Sequence, residues 1–390
     1  MKLTLRKSAA VLLASMTLLA ACGDDSESAD TTKAPAADTT AGSDTTVAPD
    51  TTVAPDTTVA DTGGSGEEVG VSLILKNTSN PFFVSMKNDA EAKAEELGVR
   101  LTVAAGKEDG DTQSQIDAIE SAVANGDSGI LITPSGDAVV PAIEAAREAG
   151  LLVIALDTPP NPASSVDITF ATDNGLAGEL IGQWAAAQLG GEKATIAMLD
   201  LFNDQVVSVD YLRDQGFLMG MGIVDSIDTS GNGNEPATGS YSGGEYEVVC
   251  HEPTNGAVDG GKTAMETCLS LNPDINVVYT INEPAAQGAY DALVAAGSAE
   301  GVLIVSVDGG CDPGLRLVEE GVIGATAQQY PGKMASLGME AIVALANGGA
   351  KPEVTPGLDF FNTGVALVTD TPAEGVESIS VAEGKEICWG

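Results

Sequence analysis

The chain has 390 residues, 43% of them hydrophobic, and carries 57 acidic against 17 basic side chains, a formal charge of -40 at pH 7. That apolar content suffices for one large or two medium domains. So acidic a surface excludes nucleic acid as a partner, since affinity there comes from Lys and Arg neutralising phosphates, and it disfavours anionic lipid and anionic solutes, leaving a neutral ligand as the best fit.

The opening residues predict export. Lys2, Arg6 and Lys7 form a basic start, and the run from Ser8 to Ala21 is apolar but too short to cross a bilayer. It ends in Leu19-Ala20-Ala21-Cys22, followed by Gly23 and a string of acids. This is the pattern of a bacterial lipoprotein signal over residues 1–21, with Cys22 lipidated; an ordinary secretory signal beside a cysteine is the alternative, and both export the chain. A lipid anchor would hold it on the outer face of the cytoplasmic membrane, at the cell surface or in the periplasm. Residues 22–67 read as an acidic Thr/Pro/Ala tether. Asp-Thr-Thr-Val-Ala-Pro repeats from Asp44 and Asp50, with a truncated copy from Asp56. Proline, sparse apolar surface and mutual repulsion of carboxylates predict an extended, disordered segment.

From Val69 the pattern becomes alternating strand and helix. Strands are expected at Val69–Leu75, Arg100–Ala104, Gly129–Ile132, Leu152–Leu156 and Ile168–Ala171, with helices at Phe83–Leu97, Thr112–Ala124 and Ala138–Ala149 between them. The pattern then restarts. Helices are expected at Leu176–Gln188, Val206–Met221, Val258–Ser270 and Ala285–Ala295, with strands at Thr195–Leu199, Tyr246–Cys250, Asn276–Thr280 and Leu303–Val307. Residues 223–244, rich in Gly, Ser and Asn, read as a surface insertion. A short run at Ile323–Ala327, a helix over Lys333–Asn347 and a strand at Val365–Val368 come late. Short apolar runs separated by amphipathic segments indicate βαβ units, and the repetition indicates an α/β chain of two doubly wound parallel-sheet lobes.

In open parallel sheets the ligand site lies beyond the carboxyl ends of the strands. Here those ends carry Lys76, Asn80, Phe82 and Phe83 after the first strand, Thr133 after the third and Asp157 with Thr158 after the fourth. In the second half they carry Asn282, Asp308 and Gln329. Carboxylates accept from adjacent hydroxyls, amides donate and accept, and aromatic rings cover the C–H face of a sugar, so this set suits a neutral polyol. Any one of these residues could be a turn cap or ordinary core; their recurrence at successive strand ends is the signal.

Beyond Cys22, the cysteines are Cys250, Cys268, Cys311 and Cys388. An even number in an exported chain points to two disulfides, with three possible pairings. Cys250–Cys268 with Cys311–Cys388 is preferred, because the first closes a short strand-to-helix loop and the second ties down the end of the chain. Metal binding by these cysteines is disfavoured: no Cys-x-x-Cys occurs and His251 is the only histidine. No metal ligand set and no cofactor are expected.

From about Val69 onward the sequence resembles the ribose-type periplasmic sugar-binding proteins, the substrate-binding components of ABC importers, and within them the fructose-binding members. The resemblance rests on Ser79-Asn80-Pro81-Phe82-Phe83, Val153-Ile154-Ala155-Leu156-Asp157-Thr158-Pro159, Phe170-Ala171-Thr172-Asp173-Asn174, Arg213-Asp214-Gln215-Gly216-Phe217, Tyr279-Thr280-Ile281-Asn282-Glu283-Pro284-Ala285, Val307-Asp308-Gly309-Gly310-Cys311 and Gln328-Gln329-Tyr330-Pro331. Thr355-Pro356-Gly357-Leu358-Asp359-Phe360-Phe361 and Cys388-Trp389-Gly390 extend it. It implies the type I periplasmic binding protein fold, with three crossings near Thr172–Asp173, Gln329–Tyr330 and Thr363–Val365. The lobes would then comprise residues 69–172 plus 331–363 and 173–329 plus 364–390. It also implies sugar contacts from Asn80, Phe82, Phe83 and Asp157 on one side and Asn282, Asp308 and Gln329 on the other. Lys76 replaces the small polar residue of ribose binders, and Thr158 replaces an Arg. Their helix-borne Arg aligns with Tyr211, so Arg213, half a turn away, is the candidate. These departures fit a ketohexose such as fructose better than strict ribose specificity.

The implied partners are a small neutral sugar and the membrane permease, with the lipid anchor as the third association and the protein itself a monomer. An enzyme is the weaker alternative. Asp157 and Asp308 could imitate paired catalytic carboxylates, but no Gly-x-Gly-x-x-Gly follows any strand. A sugar-responsive repressor would need a basic helix-turn-helix, which the N-terminus lacks. Input to a membrane sensor remains an alternative to import.

Overall fold

The computed structural model describes residues 69–390. The expected signal, the tether and Cys22 lie outside the described residues.

The first run of elements is β1 (Gly70–Leu75), α1 (Pro81–Leu97), β2 (Arg100–Ala105), α2 (Thr112–Ala124), β3 (Gly129–Ile132), α3 (Val140–Glu148), β4 (Leu152–Leu156) and β5 (Ile168–Ala171). The second is α4 (Asn174–Leu189), β6 (Ala194–Asp200), α5 (Ser208–Met221), β7 (Thr238–Ser240), β8 (Glu245–Pro253), α6 (Val258–Leu271), β9 (Val277–Thr280), α7 (Glu283–Ala296), β10 (Leu303–Asp308), α8 (Arg316–Glu319) and β11 (Ala325–Gln328). The chain closes with α9 (Pro331–Ala346), β12 (Phe361–Asn362), β13 (Ala366–Val368) and α10 (Val381–Gly384).

Two sheets result. One has the order β12-β5-β4-β3-β1-β2, and every pairing in it is parallel. The other runs β13-β11-β10-β9-β6-β8-β7, parallel except at its two edges. Strands buried on both faces read as near-continuous apolar runs, as in β1, where Val71, Leu73, Ile74 and Leu75 are fully buried and only Ser72 interrupts them. The chain passes between the sheets three times. It leaves β5 through Thr172 and Asp173 for α4, leaves β11 through Gln329 and Tyr330 for α9, and runs from β12 to β13 through residues 363–365. At the third passage Gly364 has φ +103° and its carbonyl accepts from Thr172 at the first, which ties two connecting segments together.

Two element boundaries differ instructively from the apolar periodicity. Helix α1 starts at Pro81 rather than Phe83, because the Asn80 side chain caps it by accepting from the Phe82 N–H at 2.9 Å. The insertion over residues 223–244 contains the edge strand β7, whose Thr-Gly-Ser sequence offers no apolar alternation; its pairing with β8 is a backbone matter, Thr238 opposite Glu247 and Ser240 opposite Glu245.

The cysteines pair as preferred. Cys250 of β8 joins Cys268 of α6 (Cα–Cα 5.7 Å), and Cys311, just after β10, joins Cys388 (Cα–Cα 5.2 Å).

Helices α4 and α5 cross at backbone contact. A Cβ on Gly178 would lie 2.3 Å from the Arg213 carbonyl, one on Gly182 2.2 Å from that of Phe217, and one on Gly216 2.4 Å from that of Gly175. This crossing seats α5 and therefore Arg213. Gly182→Val is expected to lower stability by about 1–3 kcal/mol through overpacking, read as a fall in the thermal midpoint; an unchanged midpoint would mean that the helices spread freely and do not fix α5.

Candidate functional site

The turn after β1 brings four candidates to one wall. Lys76 is buried at the strand end, and Asn80, by capping α1, turns the first helical residues Phe82 and Phe83 inward. Their rings meet edge to face at 5.3 Å, and Lys76 Nζ lies 5.8 Å from the Phe83 centroid. Asp157 follows β4 with φ +64°, a backbone conformation rarely held by a residue other than glycine. Its Oδ2 accepts from Thr158 Oγ1 at 2.7 Å and lies 3.6 Å from Lys76 Nζ, while its buried Oδ1 has no hydrogen-bond partner.

The second sheet repeats these devices. Asn282 caps α7 by accepting from the Ala285 N–H at 3.1 Å and donates to the Gly256 carbonyl at 3.0 Å. Asp308 ends β10 with φ +129°. Its Oδ1 accepts from Gln329 Nε2 at 2.7 Å, and Gln329 Oε1 is buried without a partner. Behind it, Glu283 accepts from the Gly309 N–H (2.6 Å), the Gly310 N–H (3.3 Å) and Thr326 Oγ1 (2.8 Å), which fixes the turn that presents Asp308.

Arg213 links the two walls. From α5 its Nε donates to Asn174 Oδ1 at 2.7 Å and its Nη1 to the Ile281 carbonyl at 2.9 Å. Nη2 then lies 3.8 Å from Asp157 Oδ1 on the opposite sheet, and Nη1 lies 3.7 Å from Asp308 Oδ1. Between these groups lies a narrow cavity bordered by nine candidates: Lys76, Asn80, Phe82, Phe83, Asp157, Arg213, Asn282, Asp308 and Gln329. The tenth, Thr133, is not on this border. Although it ends β3, it is fully buried, and its carbonyl accepts from Gln115 of α2 at 2.8 Å. Val209, Leu201 and Ile281 contribute apolar wall, and Asp109 completes the lining. Asp109 was missed because the end of β2 was not searched; the same strand-end rule applied to the loop at residues 106–111 finds it.

The electrostatics favour an uncharged occupant. Lys76 and Arg213 face the carboxyls of Asp157, Asp308 and Asp109, two cations against three acids, two of which burial shifts towards the neutral form. Burial pushes the Asp308 carboxyl up to about 7, opposed by the Arg213 guanidinium and the Gln329 hydrogen bond. Burial also raises Asp109, against the pull of Lys76 and a hydrogen bond from Asn77.

Comparison with known proteins identifies the family. Residues 71–350 match the periplasmic binding protein domain. The ribose import binding protein RbsB of Salmonella typhimurium is 28% identical over 273 residues, 69% of this chain and 82% of the relative. The D-apiose import binding protein of Actinobacillus succinogenes is 30% identical over 261 residues, 66% and 76% respectively. Among solved structures, an ABC transporter periplasmic solute binding protein from Actinobacillus succinogenes with bound D-allose superposes with a TM-score of 0.66 at 22% identity, covering 82% of this chain and all of that one.

The Asp308 carboxyl takes its proton near pH 7 in the folded chain and near pH 4 in an unfolded one. Between those values the folded chain holds the extra proton, so stability falls as pH rises through that window. The thermal midpoint of the ligand-free protein is expected to drop from pH 5 to pH 8, with a shallower slope in Asp308→Asn. Equal slopes in the two proteins would refute the assignment to Asp308.

Proposed function

The chain belongs to the periplasmic binding protein family, as a sugar-binding component of an ABC importer rather than an enzyme, and we propose that its ligand is one neutral monosaccharide, a ketohexose such as fructose, bound between the two sheets. The observation that carries this reading is the single cavity where Asp157, Arg213 and Asp308 converge from opposite sides with the Phe82 and Phe83 rings. Each carboxylate can accept from adjacent hydroxyls, Arg213 donates to ring or hydroxyl oxygens, and the rings cover a C–H face. Asp157 Oδ1 and Gln329 Oε1 are buried acceptors with unused capacity, which two sugar hydroxyls would fill.

Hinge motion about the three connecting segments opens the cleft, and the sugar, by touching both walls, stabilises the closed arrangement. The closed form is what the permease recognises. Micromolar affinity corresponds to about -8 kcal/mol, within reach of several charge-assisted hydrogen bonds and ring stacking after ordering costs. Discrimination comes from the buried carboxylates, since an analogue lacking one hydroxyl leaves an acceptor unpaired. Ribose is the second reading, favoured by the ribose import relatives; Lys76, in place of a small polar residue, speaks for the ketohexose. Cys22 carries the lipid that holds the protein, as a monomer, on the membrane's outer face, and residues 22–67 let the folded part reach the permease.

Calorimetry with fructose, ribose, allose and other monosaccharides on the mature protein tests the ligand. Fructose is expected to bind most tightly, and Asp308→Ala to weaken it by roughly 1.5–3 kcal/mol, about 10- to 100-fold. Undiminished affinity in that variant would sink the site assignment, and tighter ribose binding would replace the sugar. Cys22→Ser is expected to move the protein from the membrane to the soluble fraction; retention on the membrane would remove the lipid anchor.

A further inference from the structure

A second cluster of buried charge lies beside the middle of α5, and the cleft next to it shares no lining residue with the sugar cavity. Asp200 ends β6, Asp214 lies on α5 and His251 lies on β8, and one ligand atom from each falls within 4.8 Å of the others. Asp200 Oδ2 is 2.8 Å and Asp214 Oδ2 3.7 Å from the same nitrogen, His251 Nδ1. The other ring nitrogen, Nε2, is 2.6 Å from Glu235 Oε1, which the insertion supplies.

The surroundings position these atoms but leave two of the carboxylate oxygens without a partner. Asp210 accepts from the N–H groups of Leu201 and Phe202 at 2.9 and 3.1 Å, which fixes the chain just after Asp200. Gln215 donates to Asp214 Oδ1 at 2.9 Å, so Oδ2 is the oxygen left facing the histidine. That Asp214 Oδ2 has no hydrogen-bond partner, nor has Asp200 Oδ1, although Asp214 is fully buried and Asp200 only 2% exposed. Buried polar atoms are normally partnered. Three carboxylates crowd one imidazole, an arrangement that a bound divalent cation would compensate.

We propose that Asp200, Asp214 and His251 bind a divalent metal ion of the zinc class, with Glu235 fixing the histidine. The two carboxylates and Nδ1 offer three ligands on one side, and modest side-chain rotation brings them to the 2.0–2.2 Å typical of zinc. Nε2–H donating to Glu235 is the carboxylate–histidine–metal arrangement that sets the ring tautomer and leaves Nδ1 free to ligate. An imidazole in the set favours zinc or a similar borderline ion over calcium or magnesium, which take oxygen ligands. Access is through the adjoining cleft lined by Asn232 and His251, whose side chain is 22% exposed. Bound there, the ion would pin the insertion and β6 to α5, one residue from Arg213. It would be a structural clamp outside the sugar site, and the inference stands whatever sugar is bound.

The test uses the mature protein without a polyhistidine tag, stripped with chelator and titrated with Zn²⁺ in the absence of sugar. One retained equivalent per chain is expected, with Glu235→Gln weakening affinity about 10- to 100-fold and Asp214→Asn abolishing it. Because His251 is the chain's only histidine, its ring ¹⁵N signals are read without assignment and report on the folded wild-type protein. Zn²⁺ should leave Nε2 protonated and shift Nδ1 to a metal-bound value. A ring that stays doubly protonated with Zn²⁺ present would overturn the proposal, making the cluster a buried imidazolium among carboxylates. Retention of Ca²⁺ with the ring unchanged would overturn it equally.

Discussion

The guanidinium of Arg213 is the constraint on which the arrangement of the site depends. It is buried, lies within 4 Å of one carboxylate from each sheet, and is oriented by Asn174 and the Ile281 carbonyl on its own side. A buried cation needs compensation, and here carboxylates from both walls contribute to it. The contact with Asp157 is long, 3.8 Å. A hydroxyl placed between such charges would bond to both walls at once.

Everything that presents these groups is backbone work. Two asparagines cap two helices, Asn80 on one side and Asn282 on the other, so the rings and amides at the cavity are fixed by helix starts rather than by mobile loops. Asp157 and Asp308 both occupy left-handed backbone, a strain that persists because surrounding hydrogen bonds over-determine the turns. The glycine-lined contact of α4 with α5 brings Arg213 close enough to reach across. The equivalence of the two halves is thus physical: each supplies a capped helix, a strained carboxylate and an apolar wall.

Much of this was legible beforehand because parallel sheets write themselves plainly. Runs such as Leu152–Leu156 and Leu303–Val307 have no solvent face, and polar residues crowd the strand ends where a ligand must sit. The strand-end rule therefore gathered Asp157, Asn282 and Asp308 into one set, although it also swept in Thr133, whose environment is decided by Gln115 of a neighbouring helix. Features made by the backbone alone left no trace. Strand β7 has no apolar side chain to signal it, and the left-handed conformations of Asp157 and Asp308 are invisible in their names. Nor could spacing bring Asp200, Asp214 and His251 together, since they sit on three elements that meet only through the order β9-β6-β8 and the packing of α5.

The last described residues lie in an unusual place. Cys388 is bonded to Cys311 beside Asp308, and the next side chain, Trp389, donates from Nε1 to the Gln329 carbonyl at 2.8 Å while its ring meets Phe82 edge to face at 5.4 Å. The other tryptophan, Trp184, is sealed in the core beneath the second sheet. The molecule thus contains two indoles in unlike surroundings, one enclosed within a single half and one set where both halves meet. Trp389 touches both halves, so its surroundings depend on how they sit together, whereas those of Trp184 come from one half.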